Sequence, residues 1–326
     1  MSGEKVKVAI IGAGGWGAQH ARIAAGRPDV DLCAITGRTP AKTRERAEQY
    51  GTRFYTEVKE MLRNEKPDLV HICLPNQQHY ETTLEVIRHG VPLFVEKPLV
   101  FELQQGQHLL EEAERRNLFF AINFNHRYAK PVQLAREAAA AGKLGEIVFV
   151  SWRFGGEGSS DHPHANLIET QCHGFDLLEH LCGPIRSVMA EMTDMTGKGY
   201  STLAVSLRFA NGAVGSLLGT YDSSYSYPGT HFMEINGTAG RVTIEDTVKK
   251  YTYHPAGSEI GEIWKAGYFN DWDREFHRTF DSCYGELIEA FKKGEPPPIH
   301  ASSGFRALEI AHAVIASFHS GSRVFV

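Results

Sequence analysis

The sequence predicts an α/β protein: an N-terminal doubly wound parallel sheet, then an α+β half built on a large, mainly antiparallel open sheet. Three observations carry this. Over the first 125 residues a short β-branched run, a Gly, Pro or polar turn and a stretch of helically spaced apolar residues recur in that order, the pattern of parallel strands joined by right-handed crossovers. After Asn123 the rhythm changes to strands that alternate apolar and polar residues and end in tight turns, as antiparallel pairing with one less apolar face requires. The length of 326 residues suits two domains of about 100–200 residues each better than one. The boundary is set between 1–123 and 124–326.

In the first half the strand candidates are Val6–Ile11, Val30–Thr36, Leu69–Leu74, Leu93–Val95 and Leu118–Ile122, with helices expected near 15–26, 40–50, 56–64, 77–89 and 101–116. In the second, a helix-like segment over 131–140 leads to an apolar strand, 146–153, a loop with Gly155, Gly156 and Gly158, and a single helix-like stretch over 166–182. Leu203, Val205, Leu207 and Phe209 then alternate with Thr202, Ala204, Ser206 and Arg208. The turns Ala210-Asn211-Gly212 and Asn236-Gly237-Thr238-Ala239-Gly240 fit hairpins. Two further helices, 273–293 and 303–319, flank the breaker Gly294-Glu295-Pro296-Pro297-Pro298.

Composition narrows the functions available. Lys and Arg number 34 against 39 Asp and Glu, a formal charge of −5, which does not suit a surface made to neutralise phosphate backbones; nucleic acid is not expected as a partner. No apolar run approaches the roughly 18–20 residues of a membrane helix, and Met1-Ser2-Gly3-Glu4-Lys5 lacks the apolar segment of an export signal. The five cysteines, at 33, 73, 172, 182 and 283, are odd in number and never spaced Cys-x-x-Cys. They read as reduced thiols of a cytoplasmic protein. His162, His164, Glu169, His173 and His180 are all metal-ligating types, yet no H-E-x-x-H or comparable spacing is present and no metal is expected.

Directly after the first strand stands Gly12-Ala13-Gly14-Gly15-Trp16-Gly17, a G-x-G-x-x-G that opens a helical stretch. There the glycines permit a tight turn, close approach of backbone to a pyrophosphate and close helix-on-strand packing, while the helix N-terminus supplies N–H donors, as in a Rossmann dinucleotide site. Gly12, Gly14, Gly15, Trp16 and Gly17 are therefore cofactor-binding candidates. An NAD site usually carries Asp or Glu about 20 residues further on; here the count from Gly17 reaches Gly37, in Thr36-Gly37-Arg38-Thr39. Without a carboxylate, Arg38 can grip a 2′-phosphate, with Thr36 or Thr39 donating and Lys42 or Arg44 adding positive potential. NADP is accordingly favoured, with NAD the alternative, since Arg38 stacked on adenine would tolerate either.

Two strand ends carry the chemistry. Leu93-Phe94-Val95-Glu96-Lys97-Pro98-Leu99 puts a charged pair at the C-terminal end of an apolar strand, where doubly wound sheets keep their sites, and Cys73-Leu74-Pro75-Asn76-Gln77-Gln78-His79 ends another. Glu-Lys-Pro, the Pro-Asn-x-x-His turn before it and the opening G-x-G-x-x-G together resemble the glucose-fructose oxidoreductase / inositol dehydrogenase (Gfo/Idh/MocA) family. The resemblance runs over nearly the whole chain, including Gly142-Lys143-Leu144-Gly145-Glu146, Asn236-Gly237-Thr238-Ala239-Gly240-Arg241 and Ala307-Leu308-Glu309-Ile310-Ala311. It implies hydride exchange between a nicotinamide and a secondary alcohol or ketone of a sugar, sugar derivative or cyclitol, in a homodimer or homotetramer. It also implies Lys97 at the reacting oxygen, Glu96 orienting it, a cis bond before Pro98, and Leu74, Pro75, Asn76, His79, Glu96 and Lys97 beside the cofactor. His173 matches the family's catalytic histidine and Glu169 stands where its aspartate is expected. Asn123, Asn125, His126, Arg127 and Tyr128 resemble the family's domain-junction segment and could donate to sugar hydroxyls.

Alcohol oxidation separates these roles. As the carbinol C–H bond breaks the hydroxyl proton must leave, so a base of near-neutral pKa must reach that oxygen, which suits imidazole. His173 is assigned as general acid/base and Lys97 as cationic partner of the developing oxyanion and proton relay. Glu169, four residues before His173 and so on the same helix face, is assigned as orienter or substrate ligand. Departures from the family pattern, with His164-Ala165 in place of a Gly-Gly pair, Gln171 in place of a glycine and Glu169 in place of aspartate, predict an altered pocket with the Gln171 amide in it. Trp152, Tyr221, Tyr225 and Tyr227 are candidates to stack on a sugar ring. Two alternatives stay open: redox-assisted cleavage of a glycosidic bond on tightly held NAD, and a non-catalytic NAD(P)-binding regulator, which would need neither Lys97 nor His173.

Overall fold

In the computed structural model, which describes residues 5–158, 161–267 and 272–326, the chain forms two units: Met1–Phe124 with Asp281–Phe305, and Asn125–Phe280 with Arg306–Val326. Residues 1–4, four of the five on which the expectation of no export segment rests, lie outside the described residues. Among those described, no helix is long and apolar enough to cross a membrane.

The first unit is built on the parallel sheet that the repeating pattern predicts. Its strands are β1 (Val6–Ile11), β2 (Val30–Thr36), β3 (Arg53–Tyr55), β4 (Leu69–Ile72), β5 (Leu93–Val95) and β6 (Phe120–Ile122), in the order β3-β2-β1-β4-β5-β6. Helices α1 (Gly15–Gly26), α2 (Pro40–Gln49), α3 (Val58–Glu65), α4 (His79–Arg88) and α5 (Leu103–Glu114) connect them. β4 and β5 are buried at every residue, which is why they read as continuous apolar runs and not as alternating ones. β3 has no counterpart in the sequence reading. It is three residues long, at the sheet edge, with Arg53 exposed and Phe54 and Tyr55 half-buried, too short to show a period.

The strand order reverses between β1 and β4, the switch point at which doubly wound sheets bind ligands. Register makes the carboxyl ends level: Ile11 pairs with Thr36 and Ile72, Ile72 with Val95, and Val95 with Ile122. Gly12, Gly37, Cys73, Glu96 and Asn123 therefore stand in one row just beyond the strands, each hung on a neighbour by a backbone bond such as Gly12 N–H to Thr36 O at 2.7 Å and Glu96 N–H to Ile72 O at 2.9 Å. Residues 281–305 complete this unit. Beyond the triple proline, Ile122 N–H donates to Ile299 O at 3.1 Å and Ala301 N–H to Phe120 O at 2.9 Å, which covers the otherwise open edge of β6.

The second unit holds a nine-stranded sheet of β7 (Ile147–Gly155), β8 (Ile185–Thr193), β9 (Thr202–Phe209), β10 (Val214–Thr220), β11 (His231–Gly237), β12 (Gly240–Glu245), β13 (Lys250–Pro255), β14 (Glu262–Lys265) and β15 (Val324–Phe325). The order is β14-β13-β12-β11-β7-β10-β9-β8-β15, and every neighbouring pair is antiparallel except β7 and β10. Both expected hairpins form; at the first, Gly212 takes φ +93° and Asn211 Oδ1 accepts from Ala213 N–H at 3.1 Å, turn chemistry that few other pairs supply. Its helices are α6 (Lys130–Ala140) and α7 (Cys172–Cys182), with α8 (Trp272–Lys293) as far as Phe280 and α9 (Ser302–Ser320) from Arg306 on. α7 packs on β7, and α6 on β12 and β13. The alternation in β9 buries Leu203, Val205, Leu207 and Phe209, while the opposite face of the sheet leaves Phe149, Met189, Val214 and Leu218 exposed beside Ser206 and Ser216.

Candidate functional site

In the first unit the turn after β1 divides its glycines by task. Gly12 has φ +123°, and a Cβ there would run into the carbonyl of Cys73; one on Gly17 would run into the carbonyl of Gly12; one on Gly14 or Gly15 would have nothing within 4 Å. The outer two thus allow the turn and the contact of α1 with β1, and the inner two leave backbone open to a ligand. α1 starts without a side-chain cap and without an acidic residue in its first turn, so its N–H groups and positive end are left for an anion. A dinucleotide pyrophosphate fits this cradle. Trp16 is exposed in the same turn.

One strand over, Thr36 is buried and its hydroxyl has no hydrogen-bond partner. A Cβ on Gly37 would meet Thr43 Oγ1 at 2.5 Å and Ala13 Cβ at 3.3 Å, and Thr43 Oγ1 donates to Thr39 O at 2.9 Å at the start of α2. The missing acid is therefore a matter of space, not only of composition. Arg38 is exposed, and its guanidinium lies 2.8 and 3.2 Å from the side-chain amide of Gln78, in the turn after β4, whose oxygen accepts from it when the amide is turned over. Arg44, expected to add free positive potential, lies 4.4 Å over the ring of Phe54; Thr39 and Lys42 are exposed. Leu74 and Asn76 are half-buried after β4 and Pro75 is exposed. His79 is fully buried, with Nδ1 2.8 Å from Pro98 O and Nε2 3.0 Å from Leu74 O. It ties the turn after β4 to the turn after β5, and burial holds its pKa below the ordinary histidine value.

Lys97, half-buried, follows β5, and the Lys97-Pro98 peptide is cis as the resemblance implied. Glu96 turns inward: its Oε1 accepts from His20 Nε2 and Asn123 Nδ2, both at 2.7 Å. Burial alone would push this carboxyl up, but His20, Asn123 and the charge of Lys97 outweigh it and hold it below the ordinary carboxylate value. Glu96 is thus a buried anion at the end of β5, not a surface ligand. Nothing in the sequence singles out His20; a lone histidine on a helix gives no local signal, and only the fold carries it to Glu96. Behind it His71 is fully buried, its ring 4.8 Å from that of Tyr284 and 5.0 Å from that of Phe94, and burial takes its pKa well below the ordinary value.

In the second unit the stretch expected as one helix is two pieces, a π-helical turn over Asn166–Thr170 and then α7. A π turn widens the hydrogen-bond ladder by one residue, so Glu169 and His173 do not share the face of one regular helix. Glu169 is half-buried in the π turn and His173 is buried in the first turn of α7. Gln171, at the joint, is fully buried: its Nε2 donates to Phe154 O at 3.1 Å and Asn166 Oδ1 at 3.0 Å, and its Oε1 accepts from Trp152 Nε1 at 3.1 Å. A Cβ on Gly219 would come within 2.7 Å of this amide, so that glycine leaves the room it needs. The expectation that Gln171 projects into a pocket is corrected, because the core takes up its amide.

His173 stacks on His126, with ring centroids 3.8 Å apart and planes at 13°. The residues on either side of His126 are pinned: Asn125 Nδ2 donates to Thr279 Oγ1 at 2.7 Å, and Arg127 bonds Asp176 in bidentate fashion at 2.9 and 2.5 Å. Burial raises the Asp176 carboxyl, with Arg127 opposing it. Asn125 and Arg127, expected to meet substrate, are instead occupied in holding their own turn, while Tyr128 is half-buried. Of the aromatic candidates, Trp152 and Tyr221 are buried, the latter with its hydroxyl 2.8 Å from Thr170 Oγ1, and Tyr225 and Tyr227 are exposed. Burial, aided by His162, His319 and His312, takes His164 to about 4, and burial aided by Arg127 and Arg136 takes His180 to about 4. Among the described residues no group of three or more His, Cys, Asp or Glu is arranged to hold a metal ion.

Comparison with known proteins agrees with this geometry. Residues 6–124 match the family model described as "Oxidoreductase family, NAD-binding Rossmann fold", and residues 136–326 match its companion, "Oxidoreductase family, C-terminal alpha/beta domain". The chain is 34% identical over 155 residues to the D-glucoside 3-dehydrogenase of Escherichia coli, a match spanning 47% of this chain and 44% of that protein. It is 24% identical over 325 residues to the myo-inositol 2-dehydrogenase of Thermotoga maritima, covering 94% of this chain and 95% of that one. Among solved structures, a levoglucosan dehydrogenase in complex with NADH and levoglucosan superposes with a TM-score of 0.88 at 20% identity, covering 99% of this chain and 100% of the other. At that identity the likeness shows the fold.

Proposed function

We propose, from the premise that the chain belongs to the Gfo/Idh/MocA oxidoreductase family, that it is a nicotinamide-dependent dehydrogenase acting on a secondary alcohol of a sugar, sugar derivative or cyclitol, or on the matching ketone. The observation that carries this is the level row of strand ends in the first unit, where the open glycine cradle and the anchored Glu96-Lys97 pair stand on one edge of one sheet. The glucoside and myo-inositol dehydrogenases among its relatives support the substrate class.

In this reading Gly12, Gly14, Gly15, Trp16 and Gly17 hold the pyrophosphate, Thr36, Arg38 and Thr39 the adenosine ribose, and Leu74, Pro75 and Asn76 line the next turn; His79 and Glu96 support them from beneath. A bound nicotinamide would supply the hydride acceptor for the carbinol carbon and, in the reverse direction, the hydride donor. The protein handles the proton. As the C–H and O–H bonds break and the C=O bond forms, a ring nitrogen of His173 accepts the hydroxyl proton. The Lys97 ammonium is assigned to the developing oxyanion. Glu169 and Tyr128 receive substrate hydroxyls, while Asn125 and Arg127 act by holding the turn that carries His126.

NADP is preferred over NAD in this reading because a side chain at Gly37 would run into Thr43 and because Arg38 is exposed beside the neutral Gln78 amide; a 2′-phosphate outcompetes that amide for the guanidinium. The open face with Phe149, Met189, Val214 and Leu218 is assigned to self-association as a homodimer or homotetramer, read by light scattering on wild type and Leu218→Glu. Screening cyclitols, aldoses and their keto forms with both cofactors, at the absorbance band of reduced nicotinamide, is expected to show turnover with the lower KM for NADP. His173→Ala and Lys97→Ala are each expected to lose about a hundredfold in kcat with cofactor binding kept. A lower KM for NAD removes the NADP assignment; near wild-type turnover in either variant removes that residue's role. Cofactor retained through purification, without net reduction of added nicotinamide, points to glycoside cleavage.

A further inference from the structure

We propose that His126 is a positioning residue for the general base: stacked face to face on His173, it fixes the plane of that ring and limits the pair to one proton. This rests on the reading of His173 above. The rings lie 3.8 Å apart at 13°, and the two residues are 6% and 5% exposed. Two imidazolium ions that close and that dry repel far more strongly than two in water, so the second proton is taken up only at distinctly lower pH than the first. His126 is held from its other sides by ring edges, Phe154 at 6.0 Å and Phe276 at 6.5 Å between centroids. Its neighbour Arg127 is bound to Asp176, three residues after His173 on α7. His126 on His173 and Arg127 on Asp176 are two rungs between the same turn and the same helix. The turn cannot slide without breaking a buried ion pair.

Around the pair, α7 carries Asp176, bound to Arg127, and α6 places Arg136 by His180, further along α7; β7 and α8 bring the uncharged rings of Phe154 and Phe276 against His126. When His173 takes the substrate proton, His126 stays neutral and lays its ring face against the new cation, a contact that aromatic faces favour. Phenylalanine at 126 keeps the stack and removes the second titrating ring. Alanine removes both.

The experiment compares wild type, His126→Phe and His126→Ala, full length, by two readouts. Ring-proton NMR titration is expected to show the His126 and His173 signals of wild type each moving in two shared steps, and the His173 signal of His126→Phe moving in one. Steady-state kinetics are expected to show His126→Phe within about threefold of wild-type kcat and His126→Ala about tenfold lower, with cofactor Kd unchanged in both. Independent one-step titration of the two rings in wild type, full activity in His126→Ala, or equal losses in the two variants overturns the proposal. A wild type that turns over no polyol or ketone overturns the reading of His173 instead, and the titration then still decides whether the two rings are coupled.

Discussion

At Gly12 and Gly14 one substitution has two outcomes. Alanine at 12 would have to hold φ +123° and pass through the Cys73 carbonyl; both obstacles are backbone, so no rotamer relieves them. Gly12→Ala is expected to lose about 3 kcal/mol or more of stability. Alanine at 14 meets nothing within 4 Å, so Gly14→Ala keeps stability to within about 0.5 kcal/mol, but its methyl stands where phosphate approaches and weakens cofactor binding by about tenfold. Urea unfolding and calorimetric titration with each nicotinamide separate the two; equal stability losses, or unchanged affinity in Gly14→Ala, would show that the cradle lies elsewhere. These glycines are legible in the sequence because the motif's spacing states a backbone requirement. The hold of His20 and Asn123 on Glu96 is not, because it joins residues 76 and 27 positions apart with no local pattern at either end. Arg127 reads as a free donor for the same reason: its partner, Asp176, is 49 positions away.

Among the elements, the joint between the π turn and α7 depends on one amide. Gln171→Leu keeps the volume but leaves Trp152 Nε1, Asn166 Oδ1 and Phe154 O without their partner in the interior. At about 1–3 kcal/mol for each orphaned group, partly recovered by relaxation, the expected loss is about 3–5 kcal/mol. The loss of kcat should exceed what stability alone explains, because the π turn carries Glu169. Chemical unfolding with kinetics on the folded variant checks this, and a loss below about 1 kcal/mol would mean that the joint is held by packing instead. Periodicity reads this stretch as one helix because a single widened turn shifts the apolar pattern by one position, within the tolerance of a 3.6-residue period. β3 escapes for a related reason, having three residues in which alternation cannot show. Where elements are long and one-sided, as in β9, alternation in sequence and burial in the fold coincide residue for residue.

Over the whole molecule, buried and half-buried histidines set the response to acid. His71 and His79 in the first unit and His164, His180 and His231 in the second all have lowered pKa values, with burial the largest cause in each; His164 and His180 fall to about 4. In the unfolded chain each takes up a proton near pH 6.5. Below that pH the unfolded state binds protons that the native state refuses, so stability is complete above about pH 6.5 and is lost progressively as pH falls toward 4. Carboxylates add to the loss only further down: Asp29, held low by its hydrogen bond from Arg27, resists protonation in the native state near and below its ordinary value. Asp176, raised by burial, acts in the opposite sense. Calorimetry from pH 8 to 4 is expected to show Tm already falling at pH 6, by on the order of 10 °C at pH 5 relative to pH 7.5. A Tm that is flat to pH 5 and then drops would assign the loss to carboxylates. His71→Phe sharpens the test, because it keeps a ring against Phe94 and Tyr284 while removing one group that must stay neutral; its Tm should fall less steeply between pH 6.5 and 5 than that of wild type.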